Sequence, residues 1–389
     1  LMVPVLIWSF YFLWRGFTKT PEVGLRVFWW LNFVLGGILF GLGFYTYISY
    51  RFTPILIAAF FIPYLIKRRA KNLWMGFVIF VVVAFVVALP IGLYFLNNPG
   101  DFFGRSGQVS IFSADNPLRA AALSIVTTLG MFNVIGDFNW RHNFSGSPQL
   151  FWPVGILFLL GIYLSIKEFS FSEKFLLLWF FIFLLPNILT TESNPHALRS
   201  LSAMPAAMIF AGIGLVWLYK KFQGYLDENL KNQKFTKFQV QLLRIKKEIF
   251  WLLIVFLIFI AGSEFNKYFN LWAFNPNVAG AFSQSQFRIA DYLNNLPKET
   301  EKYAIWDASD RATDNGLPVS AQTVYFLTTE KTKINYLKSD ELNKIKPGKN
   351  GAVIAPLYFD LNLLHNLNKQ FPQSRINFIH ISTAVVVVP

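Results

Sequence analysis

The stretch LWMGFVIFVVVAFVVALPIGLYF, residues 73–95, runs for 23 residues without a charged side chain. About 20 apolar residues are enough for a helix to cross the hydrocarbon core of a bilayer, so this stretch predicts a membrane-spanning helix. Seven other apolar runs extend the pattern on both sides. They are Leu1–Leu13, Val27–Phe44, Phe52–Ile66, Phe151–Ile166, Phe175–Leu189, Leu201–Tyr219 and Ile249–Gly262. The predicted fold class is therefore a mainly α, polytopic membrane protein with about eight transmembrane helices.

The composition agrees with a membrane protein. Of 389 residues, 54% are hydrophobic and only 14% are charged, whereas soluble domains contain about 25% charged residues. This excludes an ordinary soluble enzyme, a disordered chain and a fibrous one. Because the chain has no cysteine and four histidines, disulfides, thiol nucleophiles and cysteine metal sites are excluded. We expect no metal site, and no motif indicates a cofactor.

The net charge of +14 is unevenly distributed. The loops predicted to be internal, among them 67–72, 167–174 and 220–248, hold 17 Lys and Arg against 6 Asp and Glu; the external loops hold 5 against 4. Cytoplasmic loops carry such an excess of basic residues. The positive charge therefore gives an orientation in the cell (plasma or inner) membrane, and it does not call for a nucleic-acid partner.

The segment Ala120–Val134 is less apolar than the predicted spans. It forms either a ninth span or an amphipathic helix along the membrane interface. If it crossed the membrane, the basic loops downstream would face the wrong side. We therefore place it at the outer face.

After Gly262 the chain becomes polar and rich in turns, which predicts a separate α/β domain. Alternating apolar residues predict strands at 302–308, 352–355, 376–381 and 384–388, and helices at Val319–Leu327 and Leu361–Asn368. We divide the chain into a transmembrane region, 1–263, and a small extracytoplasmic domain, 264–389.

This topology makes a testable prediction. A cysteine introduced at Ser283 should react with a membrane-impermeant reagent added from outside, whereas one at Gln233 should be spared, because the basic loop around Gln233 faces the cytoplasm. Labelling intact and opened cells measures both positions. The reverse pattern would contradict the topology.

Three polar clusters lie on the predicted outer side. The first, Gly41–Arg51, ends a span with Tyr45, Tyr47 and Arg51. A planar guanidinium at headgroup depth can fork onto a lipid phosphate. The same residues also fit an aromatic belt with a snorkelling arginine.

The second cluster, Gly136–Pro148, contains Asp137, Arg141 and His142. Such residues can act as a general base, a proton relay and an anion clamp. Alternatively, the segment is a solvated loop closed by glycine and proline.

The third cluster, Thr190–Pro205, contains Glu192, His196 and Arg199. A helix that begins near Pro195 places His196 and Arg199 on one face, and its first N–H groups add positive potential. This predicts a phosphate or pyrophosphate site. The segment also fits a plain helix start capped by Asn194.

The stretches GLGFYTYISYRFTP, GDFNWRHNF and PHALRSLSAMPA resemble prokaryotic members of the dolichyl-phosphate-mannose protein mannosyltransferase-like superfamily, across residues 30–265. These are multi-pass GT-C glycosyltransferases that use polyprenyl-phosphate sugars. The resemblance implies transfer of a sugar from a polyprenyl-phosphate donor to a lipid, protein or glycan acceptor on the outer face of the membrane. Membrane lipids, the donor and the acceptor are then the partners.

The same resemblance implies a catalytic Asp-Glu or Asp-Asp pair in the first outer loop. No outer membrane loop here contains such a pair, and the chain begins within an apolar run without methionine. We therefore expect the catalytic carboxylate to lie upstream of residue 1, with Asp137 as the weaker candidate within the chain. Tyr45, Tyr47, Arg51, Arg141, His142, Glu192, His196 and Arg199 are the predicted substrate-binding residues.

Other functions remain open at this point. A polysaccharide polymerase or ligase of another membrane fold also uses outer-loop Arg and His. A transporter or flippase needs ionisable residues within the spans, where this chain has almost none. A structural membrane protein that binds partners through its exposed domain is the last alternative.

Overall fold

The computed structural model describes residues 1–18, 26–231, 237–313, 315–328, 332–380 and 383–389. The chain forms two compact units, Leu1–Tyr268 and Phe269–Pro389. The sequence predicted a domain boundary after residue 263, five residues before the boundary between these two units. The predicted boundary stays a prediction. The proposed labelling position Gln233 lies outside the described residues.

The regular elements of the first unit, within its described residues, are helices joined by loops. Its helices are α1 (Met2–Thr18), α2 (Arg26–Gly43), α3 (Thr53–Leu56), α4 (Ile62–Arg68), α5 (Lys71–Asn97), α6 (Pro99–Gln108), α7 (Pro117–Gly130), α8 (Trp152–Glu168), α9 (Phe171–Ile188), α10 (Met204–Lys231) and α11 (Lys237–Phe265). Short 3-10 helices cover Ile48–Phe52 and Ala197–Ala203. The second of these belongs to the candidate site.

Five described helical segments are long and apolar enough to cross a membrane. They are Ile48–Arg68, Lys71–Asn97, Phe171–Ile188, Ala197–Glu228 and Glu248–Trp272. Of the remaining predicted spans, α1 and α8 have 17 residues each. At 1.5 Å per residue such a helix is about 26 Å long, at the lower limit for crossing. The total of eight spans stays a prediction.

Glycines allow the close approach of α2 and α5 near the C-terminal end of α2. A Cβ added at Gly41 would lie 2.6 Å from the Cβ of Val87, so a larger residue would push the helices apart. In the same bundle, Ser9 donates a hydrogen bond from its hydroxyl to the carbonyl of Gly36, at 3.0 Å, and so joins α1 to α2. These contacts fix how α1, α2 and α5 pack against one another.

Helix α7, which covers most of the predicted interfacial segment, has a polar inner face and an apolar outer face. Ser124 and Thr128 are buried against α9, whereas Leu118, Leu123 and Val126 are exposed. Its 14 residues span about 21 Å, less than the hydrocarbon core. An amphipathic helix of this length is compatible with the membrane interface, and the placement of the segment there stays a prediction.

The second unit contains a five-stranded sheet with helices on both faces. Its elements are α12 (Pro276–Ala281), α13 (Gln284–Asn294), β1 (Glu301–Trp306), α14 (Val319–Thr328), β2 (Asn335–Lys338), β3 (Ala352–Pro356), α15 (Leu361–Gln370), β4 (Arg375–His380) and β5 (Thr383–Val388). The strand order is β2-β1-β3-β5-β4, with the first three parallel.

The predicted strands and helices of this unit are confirmed, although the end of the 376–381 prediction lies outside the described residues. Strand β2 and helices α12 and α13 were not predicted. Strand β2 has only four residues at the sheet edge and no fully buried side chain. Its apolar alternation is therefore too short to stand out in the sequence.

Candidate functional site

The segment Gly136–Pro148 is a closed loop. The backbone N–H of Gly146, at φ 72°, donates to the carbonyl of Asp137 at 2.9 Å, and the side-chain amide of Asn143 donates to the same carbonyl at 3.2 Å. The hydroxyl of Ser145 donates to the carbonyl of Phe138 at 2.9 Å. These bonds hold the backbone of the loop, which positions Asp137 and His142.

Asp137 is 1% exposed and its carboxylate is fully engaged. One oxygen accepts the N–H of Asn139 at 2.7 Å, and the other accepts the N–H of Ala197 at 2.8 Å. Nδ1 of His142 lies 2.9 Å from that second oxygen. A carboxylate with these partners orients its neighbours, and it has little capacity left to take a proton from a substrate. This geometry argues against the candidacy of Asp137 as the catalytic base.

The two histidines of the site lie side by side. The ring of His142 is 4.6 Å from that of His196, centroid to centroid, although 54 residues separate them in the chain. Because Asp137 accepts the proton on Nδ1 of His142, the neutral ring keeps a lone pair on Nε2. His142 is thereby prepared to accept a proton or a hydrogen bond from a substrate hydroxyl.

Arg199 holds the turn that precedes the 3-10 helix Ala197–Ala203. Its Nη1 donates to the hydroxyl of Thr190 at 2.8 Å and to the carbonyl of Glu192 at 2.6 Å. Its Nη2 lies 3.4 Å from the Glu192 carboxylate, which is long for a charge-assisted bond. Tyr47 is close enough for this cation to affect its hydroxyl: burial raises the pKa of Tyr47, and Arg199 opposes the rise.

The predicted cap of this helix start is wrong. Asn194 donates its side-chain amide to the hydroxyl of Ser124, so it is not directed at the helix. The helix is a 3-10 helix that begins at Ala197, and the carboxylate of Asp137, sixty residues away, accepts its first N–H. The N–H groups expected to attract an anion are therefore already used at Ala197 and at His196, whose N–H donates to Asn187.

A buried polar network behind the site was missed by sequence reasoning. Asn187, fully buried near the end of α9, donates to the hydroxyl of Thr128 at 3.0 Å. Ser124, one helical turn earlier on α7, donates to the carbonyl of Asn187 at 3.3 Å. The spacing of Ser124 and Thr128 and the asparagine within an apolar run were the available signals.

Three predicted substrate-binding residues have other contacts. Arg51 donates to the carbonyl of Phe102 at 2.9 Å, and its guanidinium lies 3.9 Å from the Phe102 ring centroid. Tyr45 donates its hydroxyl to the carbonyl of Val87 at 2.9 Å, and the Arg141 side chain is exposed. These contacts of Arg51 and Tyr45 involve neither His142 nor His196. The roles of all three in substrate binding stay predictions.

The Asp137, His142 and His196 ligand atoms lie within 4.8 Å of one another, close enough to hold a metal ion. Two imidazoles and a carboxylate form a donor set that zinc accepts. However, both Asp137 oxygens already accept hydrogen bonds, and an ion would compete with His142 for one of them. The fit is therefore partial, and the expectation of a metal-free site stays a prediction.

The protonation of His196 makes a prediction about stability. The pKa of His196 is lowered to about 4, mainly by burial and also by the charges of Arg199 and His142, which outweigh the opposing charges of Asp137 and Glu192. Between pH 6.5 and 4, His196 therefore binds a proton in the unfolded chain but stays neutral in the folded protein. Stability should fall as the pH drops through this range, and His196→Gln should remove this part of the fall.

The midpoint of thermal unfolding, measured against pH, tests this expectation. His365→Gln, at an exposed position on α15, is the matched control and should keep the wild-type pH dependence. Identical pH profiles for wild type and His196→Gln would contradict the low pKa.

No family model and no curated protein matches this chain. Among solved structures it is similar to ArnT from Cupriavidus metallidurans bound to undecaprenyl phosphate, with 15% identity and a TM-score of 0.45 over 99% of this chain and 73% of ArnT. It is also similar to the archaeal oligosaccharyltransferase AglB from Archaeoglobus fulgidus, with 12% identity and a TM-score of 0.40 over 91% of this chain and 51% of AglB. These neighbours are GT-C membrane glycosyltransferases, the superfamily that the sequence motifs resemble.

Proposed function

We propose that this protein transfers a sugar from a polyprenyl-phosphate donor to an acceptor at the outer face of the cell membrane. The observation that carries the proposal is the meeting of Asp137, His142, His196 and Arg199. These residues come from two loops far apart in sequence, and the motifs that resemble the superfamily contain all four. The extracytoplasmic placement of residues 264–389 is part of the same proposal.

Arg199 is the group proposed to bind the donor phosphate. Its contact with the Glu192 carboxylate is long and half-exposed on the glutamate side, so a phosphate oxygen can replace that carboxylate at Nη2. As the bond from the sugar to the phosphate breaks, negative charge grows on the departing phosphate. A fixed guanidinium stabilises that charge more than it stabilises the donor in its ground state.

His142 and His196 are proposed to contact the acceptor or the sugar. The low pKa keeps His196 neutral at physiological pH, so it acts as a hydrogen-bonding group and not as a cation. His142, oriented by Asp137, offers Nε2 as an acceptor. His142 thereby holds the acceptor hydroxyl for the catalytic carboxylate that the family resemblance implies.

The described residues give little support to transport as the alternative. A transporter needs ionisable groups at depth within its spans. The buried polar residues of the described spans, including Thr53, Asn187 and Ser200, are hydroxyls and amides, and none of these titrates. The buried carboxylate Asp137 lies outside the candidate spans.

Binding of a polyprenyl phosphate tests the proposal directly. The chain in phosphatidylcholine nanodiscs should retain a radiolabelled polyprenyl phosphate, and it should release it to excess unlabelled polyprenyl phosphate but not to the matching polyprenol or to phosphatidic acid. Arg199→Ala should weaken retention about tenfold, since a charged hydrogen bond is lost. Equal retention of the polyprenol would contradict the proposed phosphate site.

Two controls complete the experiment. Arg119→Ala removes an exposed arginine at the start of α7 and should leave retention unchanged. Dialysis against EDTA should also leave retention unchanged if hydrogen bonds, and not an ion, organise the site.

A further inference from the structure

The α/β unit contains a cavity of about 270 Å³ at one edge of its sheet. The cavity lies where β3 ends and β5 begins, between α13 and α15, and its lining includes Leu357 and Thr383. In open α/β sheets, ligands bind outside the carboxyl ends of parallel strands, where the chain changes direction across the sheet. In this sheet β2 lies on one side of β1, and the next strand of the chain, β3, lies on the other side of β1.

The cavity wall contains a polar group without a partner. Thr383 is 3% exposed, and its hydroxyl makes no hydrogen bond within the described part of the chain. A buried hydroxyl without a partner destabilises the fold unless a ligand or a water molecule binds to it. Threonine occupies this position although valine has the same shape without the hydroxyl. Valine occupies four other positions of the same strand, Val385, Val386, Val387 and Val388.

Hydrogen-bond donors come from the start of α13. The first N–H groups of a helix have no partner within it, and Ser283, which precedes this 11-residue helix, does not cap it with its side chain. Ser285 and Gln286 from this first turn line the cavity. The side-chain NH2 group of Gln286 donates to the carbonyl of Leu357 at 3.2 Å. The side-chain oxygen of Gln286 is directed away from that bond.

Acceptors and negative charge come from the loops after β1 and β3. Tyr358 lines the cavity, and burial raises the pKa of its hydroxyl; a hydrogen bond with Ser339 opposes the rise, whereas the carboxylates of Asp307, Asp360 and Asp310 add to it. These three carboxylates therefore lie close enough for their charges to act on the Tyr358 hydroxyl. They disfavour a phosphate or carboxylate ligand.

We propose that this cavity binds one neutral sugar residue. A sugar ring both donates and accepts hydrogen bonds through its hydroxyls and presents apolar C–H faces to rings such as Tyr358 and Phe359. It is uncharged, and a single ring suits a cavity below the roughly 300 Å³ of the smallest usual ligand pockets. The inference stands on the α/β unit alone and does not depend on the proposed function.

Saturation-transfer NMR on the full chain tests this site. The probes are the methyl glycosides of glucose, galactose, mannose and N-acetylglucosamine, added to nanodiscs free of glycoside detergent, with empty nanodiscs as the blank. At least one glycoside should show saturation of its ring protons. Glucose 1-phosphate should bind more weakly than its neutral counterpart because of the nearby carboxylates.

Two variants separate binding from folding. Gly280 lines the cavity, and a Cβ there meets no atom within 4 Å, so Gly280→Phe should block binding without strain. Thr383→Val should weaken binding about three- to tenfold, as expected for one hydrogen bond, and it should not lower the midpoint of thermal unfolding. Thr300→Val, outside the cavity lining, is the control for loss of a threonine hydroxyl.

The proposal is overturned if none of the glycosides gives saturation, or if Gly280→Phe binds like the wild type. A Thr383→Val variant that unfolds earlier but binds normally would assign the hydroxyl to the fold and overturn its role. Binding of glucose 1-phosphate as tight as that of the neutral glycoside would overturn the assignment to uncharged sugars.

Discussion

Replacing Asp137 with asparagine is expected to lower the rate of sugar transfer on the order of 10³-fold. The carboxylate accepts N–H groups from Asn139, His142 and Ala197. An asparagine side chain has one oxygen that can accept a hydrogen bond. Its NH2 group would take the place of the second carboxylate oxygen and would face an N–H group, so two donors would meet. His142 would then turn or change its tautomer, and the lone pair on Nε2 would no longer face the substrate.

The rate should be measured in membranes of cells whose only copy of the gene carries the substitution, with a polyprenyl-phosphate sugar as the labelled donor. Asp115→Asn, at an exposed position in the same predicted outer region, is the matched control and should transfer at the wild-type rate. Transfer by Asp137→Asn within a few-fold of wild type would show that the orientation of His142 does not matter.

His142→Gln distinguishes an effect on the reaction from an effect on folding. In this variant Asp137 still accepts the N–H groups of Asn139 and Ala197, so the loop and the 3-10 helix stay joined. In Asp137→Ala two part-buried N–H groups lose their acceptor, at a cost of at most about 1–3 kcal/mol each. We expect similar losses of transfer in both variants but a lower unfolding midpoint only in Asp137→Ala. The double variant should lose little more activity than either single one.

Replacing Arg199 with alanine is expected to lower transfer about 10²-fold or more, because a fixed cation no longer meets the charge that develops on the departing phosphate. Arg199→Lys should not restore transfer. The guanidinium reaches Thr190 and the Glu192 carbonyl through one nitrogen and the Glu192 carboxylate through the other. A lysine ammonium cannot hold this turn and bind a phosphate oxygen at the same time.

Arg119→Ala and Arg119→Lys are the controls for this series, and both should transfer normally. The Arg199 variants require one further readout, because the structure gives Arg199 contacts that support the Thr190–Glu192 turn. Polyprenyl phosphate retention should fall with transfer if Arg199 binds the donor. Wild-type transfer by Arg199→Ala would remove the basis of the proposed phosphate site.

The helices and strands that could be predicted from the sequence are those with a clear pattern of apolar residues. The run at 73–95 predicts its helix because no soluble element needs 23 apolar residues in succession, and α5 covers it. Strands β1, β3 and β5 are predicted because their apolar residues are buried in the sheet. Helix α13 was missed because its buried residues, Ile289, Ala290 and Leu293, lie within an otherwise polar sequence.

The sequence by itself identified the two loops that form the candidate site, because Asp, His and Arg collect beside apolar spans where polar residues are expensive. It also determined the helical class, whereas the orientation that the basic loops indicate stays a prediction. It did not determine partners within the site. The pairing of Asp137 with His142 and Ala197 depends on how α7, α9 and the 3-10 helix pack, and no local spacing encodes a contact across sixty residues.

The tertiary structure also decided which predicted residues work together. Arg51 and Arg199 are equivalent in sequence terms, since each is an arginine near the outer end of a span. Packing directs Arg51 to Phe102 and Arg199 to the turn at Glu192. The reason is geometric: a long side chain binds the nearest carbonyl, ring or carboxylate that the fold presents. Sequence specifies which groups are available, and the packing of distant helices specifies which of them meet.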